Sequence, residues 1–140
     1  MSGCADVCLD MGYDEPNEFY AAKTCVARKE HQCCECGERI ATGAKYERAN
    51  GKSDGAFWSF STCVKCVEIR EAFVCGSFVF EQLWETIGEE MFPRWNERGP
   101  WECLAKLTTD GARSLINHKY REWRKYNEMD ADDRTGGEND

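Results

Sequence analysis

Two close pairs of cysteines, Cys33-x2-Cys36 followed by Gly37 and Cys63-x2-Cys66, stand 26 residues apart in a chain of 140. Thiolates are soft donors, and two such pairs supply the four ligands that a tetrahedral Zn²⁺ site needs. After the first pair, Gly37 permits the positive φ of a knuckle turn that aims both sulfurs at one metal. After the second pair Val67 follows, without a glycine, and helix formers continue, so those two ligands are expected at a helix start. Rubredoxin-type iron uses the same donors, but zinc is the commoner occupant of small four-thiolate modules. Four protein ligands leave no open coordination position, which makes the expected single metal structural and not catalytic. Cys34 and His31 are alternative ligands beside the knuckle, and Cys4 and Cys8 can join Cys25 or Cys34 in a second site. For Cys4, Cys8, Cys25, Cys75 and Cys103 the plainer expectation is free or buried thiols, because cysteine packs as a small hydrophobe.

The elements that must hold these ligands are legible around them. Residues 1–24 read as an irregular acidic arm punctuated by Gly3, Gly12 and Pro16, with Phe19 and Tyr20 docking it on the core. Residues 25–75 form the four-cysteine module. Within it, Ala44–Ala49 and Ala56–Ser61 flank a loop with Asn-Gly and Asp-Gly steps, the signature of a β-hairpin. Cys63–Phe73 predicts a helix capped by Ser61 or Thr62 with Cys66 in its first turn. A knuckle, a hairpin and a helix giving the last ligands resemble a treble-clef architecture over about residues 31–74. Residues 76–127 read as a helical region: a helix over 79–91, a loop at Pro93, Gly99 and Pro100, and a helix over 110–126. Residues 128–140 read as a disordered acidic tail. The fold class is therefore α+β, a small treble-clef-like zinc module with two C-terminal amphipathic helices.

Composition limits what such a chain does. With 41% hydrophobic and 12% aromatic residues it has the means to bury a core, which argues against wholesale disorder. The start Met1-Ser2-Gly3-Cys4 predicts no signal peptide, and no apolar run approaches a membrane span. A reducing cytoplasm with metal-bound thiolates is the expected setting. Net charge is −8, with −5 in residues 1–20, −5 in residues 128–140 and +2 between them. Acidic ends disfavour non-specific binding to nucleic acid or membranes.

The run Arg28-Lys29-x-His31-x-Cys33-Cys34-x-Cys36-Gly37, with Gly43–Arg48, Asp54-Gly55 and Thr62-Cys63-x2-Cys66, is similar to small cysteine-rich zinc-knuckle proteins of tailed bacteriophages and prophages. The resemblance covers roughly residues 27–90. It implies a phage origin, hence the host cytoplasm, and Cys33, Cys36, Cys63 and Cys66 as ligands. It implies no reaction.

Three functional classes follow. An adaptor or inhibitor binding a host or phage protein, including one that counters host defence, is expected first. Trp95 and Trp101, beside prolines, are its contact candidates, whereas Trp84 and Trp123 fall at core spacing. A nucleic-acid-binding zinc finger is the alternative, with Arg113, Arg121, Arg124 and Lys125 available to phosphates. Acids of the arm, of Glu81, Glu85 and Glu89, and of the tail allow a DNA-mimic version of the first class. An enzyme is not expected: His31 and His118 are the only histidines, and neither lies between the cysteine pairs. No Gly-rich phosphate loop or serine-nucleophile motif is present.

Overall fold

The computed structural model describes Leu9 and residues 19–75, 78–96 and 98–139. Cys4 and Cys8 lie outside these residues, as does most of the arm. The part of the arm that is described is ordered: β1 (Phe19–Val26) pairs antiparallel with β4 (Lys45–Ser53), and β4 pairs with β5 (Ala56–Cys63). The sheet order is β1-β4-β5. Residues 19–24 are thus a strand and not an irregular arm, because their backbone groups complete the β4 ladder. A second, two-stranded sheet joins β2 (His31–Gln32) to β3 (Arg39–Ile40) around the knuckle.

The expected hairpin is β4–β5, and its turn is the Asp54-Gly55 step. Both residues take positive φ, 55° and 81°, as a two-residue turn matched to strand twist requires. Asn50 and Gly51 sit inside β4 and not in the loop. Gly51 serves packing there: a Cβ would lie 2.0 Å from Trp58 Cζ2, so the indole is accommodated only over a bare backbone.

Four helices follow. α1 (Val64–Phe73) begins at Cys63, which is its N-cap without a side-chain capping bond, so neither Ser61 nor Thr62 caps it. α2 (Leu83–Glu90) starts later than the expected residue 79. Glu81 takes φ 75°, which breaks helical propagation, and Phe80 turns away to stack on Phe60 at 4.6 Å. Consequently Glu81 leaves the acidic stripe expected with Glu85 and Glu89. Between α2 and the last helix the sequence predicts a loop, but a 3-10 turn (Phe92–Arg94) and α3 (Arg98–Leu104) form instead. Pro93 and Pro100 sit in first turns, where a missing N–H costs nothing. α4 runs Asp110–Asn139 and replaces the expected disordered tail with a continuation of one helix. Residues 127–139 hold no proline, and each residue added to an existing helix closes one more bond.

One apolar cluster unites the cysteine module with the helices. Ile69 and Phe73 of α1, Leu83 and Ile87 of α2, Met91, Leu107, and Ile116 of α4 are all fully buried. Each such side chain contributes about 2 kcal/mol of burial. On the α1 side, Arg70 and Glu47 form a buried ion pair at 2.7 Å that pins α1 to β4. No described helix is long and apolar enough to cross a membrane.

Candidate metal centre

The Cys33–Gly37 turn places the first two sulfurs. Gly37 N donates to the Cys33 carbonyl at 3.0 Å and adopts φ 79°, the left-handed conformation that glycine takes without cost. The end of β5 and the start of α1 place the other two: Cys63 is the N-cap and Cys66 the third helical residue. At that position the helix dipole favours negative charge on sulfur.

The four Sγ atoms of Cys33, Cys36, Cys63 and Cys66 all lie within 4.8 Å of one another. Cys36 Sγ and Cys63 Sγ are 3.8 Å apart. A tetrahedron with metal–sulfur bonds of about 2.3 Å has edges of about 3.8 Å. The four residues are therefore close enough to bind one metal ion, and the donor set fits zinc. Three backbone amides support the charge the ligands must carry: Glu35 N, Cys36 N and Cys63 N donate to Cys33 Sγ at 3.4, 3.5 and 3.4 Å. Thiols of Cys36, Cys63 and Cys66 also donate to Cys33, which holds its thiol far below the ordinary cysteine range. Cys36 is lowered too: its bond with Cys33 opposes this, and donation from Cys63 and Cys66 outweighs it. Cys63 and Cys66 are raised, chiefly because they give their protons to Cys33 and Cys36. Such a cluster shares protons that a divalent cation displaces.

Two residues that spacing did not single out complete the centre. Trp84 Nε1 donates to Cys66 Sγ at 3.4 Å, tying α2 to a ligand sulfur. Glu35, between the first two ligands, accepts from Leu83 N and Glu81 N at 3.1 Å each and so caps α2 from the knuckle. Burial is the main influence on Glu35 and raises its carboxyl. Trp84 carries the periodicity of a core residue and is partly buried, so its indole N–H role leaves no sequence signal. For Glu35, a carboxylate inside Cys-x2-Cys was a visible but ambiguous hint.

The alternative ligands are elsewhere. Cys34 Sγ faces Thr62 Oγ1 at 3.4 Å, outside the four-sulfur cluster, and burial pushes its thiol up to about 12. His31 stacks on Tyr46, centroids 4.7 Å apart, and does not join the cluster. Cys25 is a half-buried free thiol near the Lys23 carbonyl. Among the described residues the four-cysteine group is the one cluster of metal-binding type, so a second site built on Cys25 or Cys34 does not form there. Cys75 and Cys103 are disulfide-bonded, which corrects the expectation of free thiols.

The partner-contact candidates divide. Trp95 is buried, 6% exposed, against Phe73, Phe92 and Tyr120, and belongs to the core. Trp101 is 61% exposed on α3. Arg113, Arg121, Arg124 and Lys125 are exposed along α4, with Arg113 3.9 Å from Asp110. Comparison with protein-family models, with curated proteins and with solved structures finds no match for the chain.

Proposed function

We propose that this protein is a non-catalytic binding module whose fold is fixed by one structural zinc ion in a treble-clef-like arrangement. The convergence of the Cys33, Cys36, Cys63 and Cys66 sulfurs from a knuckle and a helix start carries the reading. Four sulfurs saturate a tetrahedral ion, so zinc here supplies no reactive position and acts only on folding. The ion links the two-stranded sheet to the start of α1, and Trp84 and Glu35 extend that link to α2. Binding of this kind contributes on the order of 10 kcal/mol to folding.

What remains available for function is surface. An adaptor or inhibitor of a host or phage protein has Trp101 as its exposed aromatic anchor. The nucleic-acid reading, which we favour, gains from a different observation: a basic sheet face whose described strand residues include no carboxylate.

Elemental analysis of the purified protein tests the zinc reading. One zinc per chain is expected, lost together with cooperative unfolding in Cys66→Ser and Cys36→Ser. A compact, metal-free parent, or a Cys66→Ser variant that keeps stoichiometric zinc and the parent melting temperature, overturns it.

A further inference from the structure

Alternation along the three-stranded sheet sorts its side chains onto two faces. One face carries Glu47, Ala49, Trp58, Phe60 and Thr62 and packs toward α1. The other carries Lys23, Arg48, Asn50, Lys52, Phe57, Ser59 and Ser61. The register sets Lys23 directly opposite Arg48, Asn50 opposite Ser59, and Lys52 opposite Phe57. Among the described strand residues, none of those on that second face is a carboxylate, in a chain whose net charge is −8. Lys23, Arg48, Ser59 and Phe57 are exposed. Past the end of β1, Arg28 and Lys29 extend the basic surface along an open groove of about 990 Å³ floored by Tyr46.

Three features of this face ask for a ligand. First, Lys23 and Arg48 are a like-charge cross-strand pair, an arrangement that destabilises a sheet unless an anion relieves it. Second, none of Lys23, Arg28, Lys29 or Arg48 is ion-paired with a described carboxylate. Third, Phe57 is 77% exposed at the hairpin end of the same face, with Lys52 Nζ 5.2 Å from its ring centroid. Salt at about 0.1 M screens charges beyond about 10 Å, so the net charge of the chain does not set the sign of the field at this face.

Cations answer phosphates, an exposed ring answers a base, and Asn50, Ser59 and Ser61 offer hydrogen bonds between them. Duplexes hide their bases from a flat sheet, whereas single strands expose them for stacking. An acidic peptide would use the cations and leave Phe57 idle. We propose that this sheet face binds single-stranded nucleic acid, with Lys23, Arg28, Lys29 and Arg48 on phosphates and Phe57 stacked on a base. The proposal rests on the zinc-folded module described above, and it names the partner.

Fluorescence anisotropy with labelled 12-nucleotide single strands of DNA and of RNA tests it, using full-length protein with zinc content measured on the same sample. Saturable binding of either strand is expected, with log K falling against log salt at a slope of about −3 for four phosphate contacts. Lys23→Glu should weaken binding at least about tenfold and shrink the slope by about 1. The same change sets Glu opposite Arg48, so its melting temperature should be equal to or above the parent's. Phe57→Ala should cost about tenfold with no change of slope. Zinc-loaded protein that binds neither strand at 50 mM salt overturns the proposal while leaving the zinc module standing. Unchanged affinity in Lys23→Glu, tighter binding of a duplex of the same length, or stronger competition by polyglutamate than by an unlabelled strand also overturns it. A sample without zinc overturns the underlying module instead.

Discussion

Individual side chains around the metal centre carry more than their residue types announce. Trp84 looks like an apolar helix-face residue, yet its indole N–H is spent on Cys66 Sγ. Groups that hydrogen-bond metal ligands orient them and tune their basicity, and their loss typically costs about 10–100-fold in metal affinity. Trp84→Phe keeps the ring and removes the donor, so competition titration with a zinc chelator should show a loss in that range, with the zinc-saturated fold retained. Gly51 is the counterpart on the sheet. Any side chain there collides with the Trp58 ring. Gly51→Ala should therefore destabilise by about 1–3 kcal/mol through overpacking, read as a lower denaturant midpoint with unchanged zinc content.

The helices depend on caps supplied from other elements. α4 begins after Thr109, whose Oγ1 accepts from Ala112 N at 3.2 Å. Glu68 on α1 accepts from Thr108 and Thr109, through both backbone N–H groups and both hydroxyls. Burial works against ionisation of Glu68, but these bonds outweigh it and hold the carboxyl below its usual range. A depressed carboxylate stabilises the fold above the unfolded value and loses that contribution as pH falls through the folded one. Glu68→Gln should thus melt roughly 2–5 °C below the parent at pH 7. Melts repeated downward in pH should show the gap closing below about pH 4, where the unfolded carboxylate is protonated. A gap independent of pH would mean that packing and not charge matters at this position.

For the molecule as a whole, the core and the metal are coupled. The apolar cluster contains Cys33, Cys63 and Cys66 themselves alongside Phe73, Leu83 and Ile116. Removing the ion should then release the helical region as well as the knuckle. Chelation should abolish cooperative melting in the near-ultraviolet, where the tryptophans report packing. Acid should do the same, because protons compete with zinc for four thiolates: stability present at neutral pH is lost as pH falls, with zinc and fluorescence signals moving together. If acid released zinc while the tryptophan signal stayed native, the metal would be peripheral to the core.

Local chemistry made much of this legible in advance. The knuckle, the Asp54-Gly55 hairpin turn, the α1 start at the second cysteine pair and the α4 start at Asp110 follow from spacing, glycine conformation and helix periodicity. These are short-range causes and act within a few residues. The two Cys-x2-Cys spacings also pointed to the four sulfurs, while the exclusion of Cys34 and His31 came from the structure, which turns them to Thr62 and Tyr46. Only tertiary structure decided the rest. Trp95, apparently a loop aromatic, is buried because Tyr120 and Phe73 arrive from distant elements. Residues 19–24 became a strand because β4 offered unpaired backbone groups. The strand register assembled a basic face: β1 sets Lys23 beside Arg48 of β4, and β5 adds Phe57 beside Lys52, residues that look scattered along the chain. Such long-range juxtapositions depend on which surfaces find one another, and no local pattern in the chain encodes that.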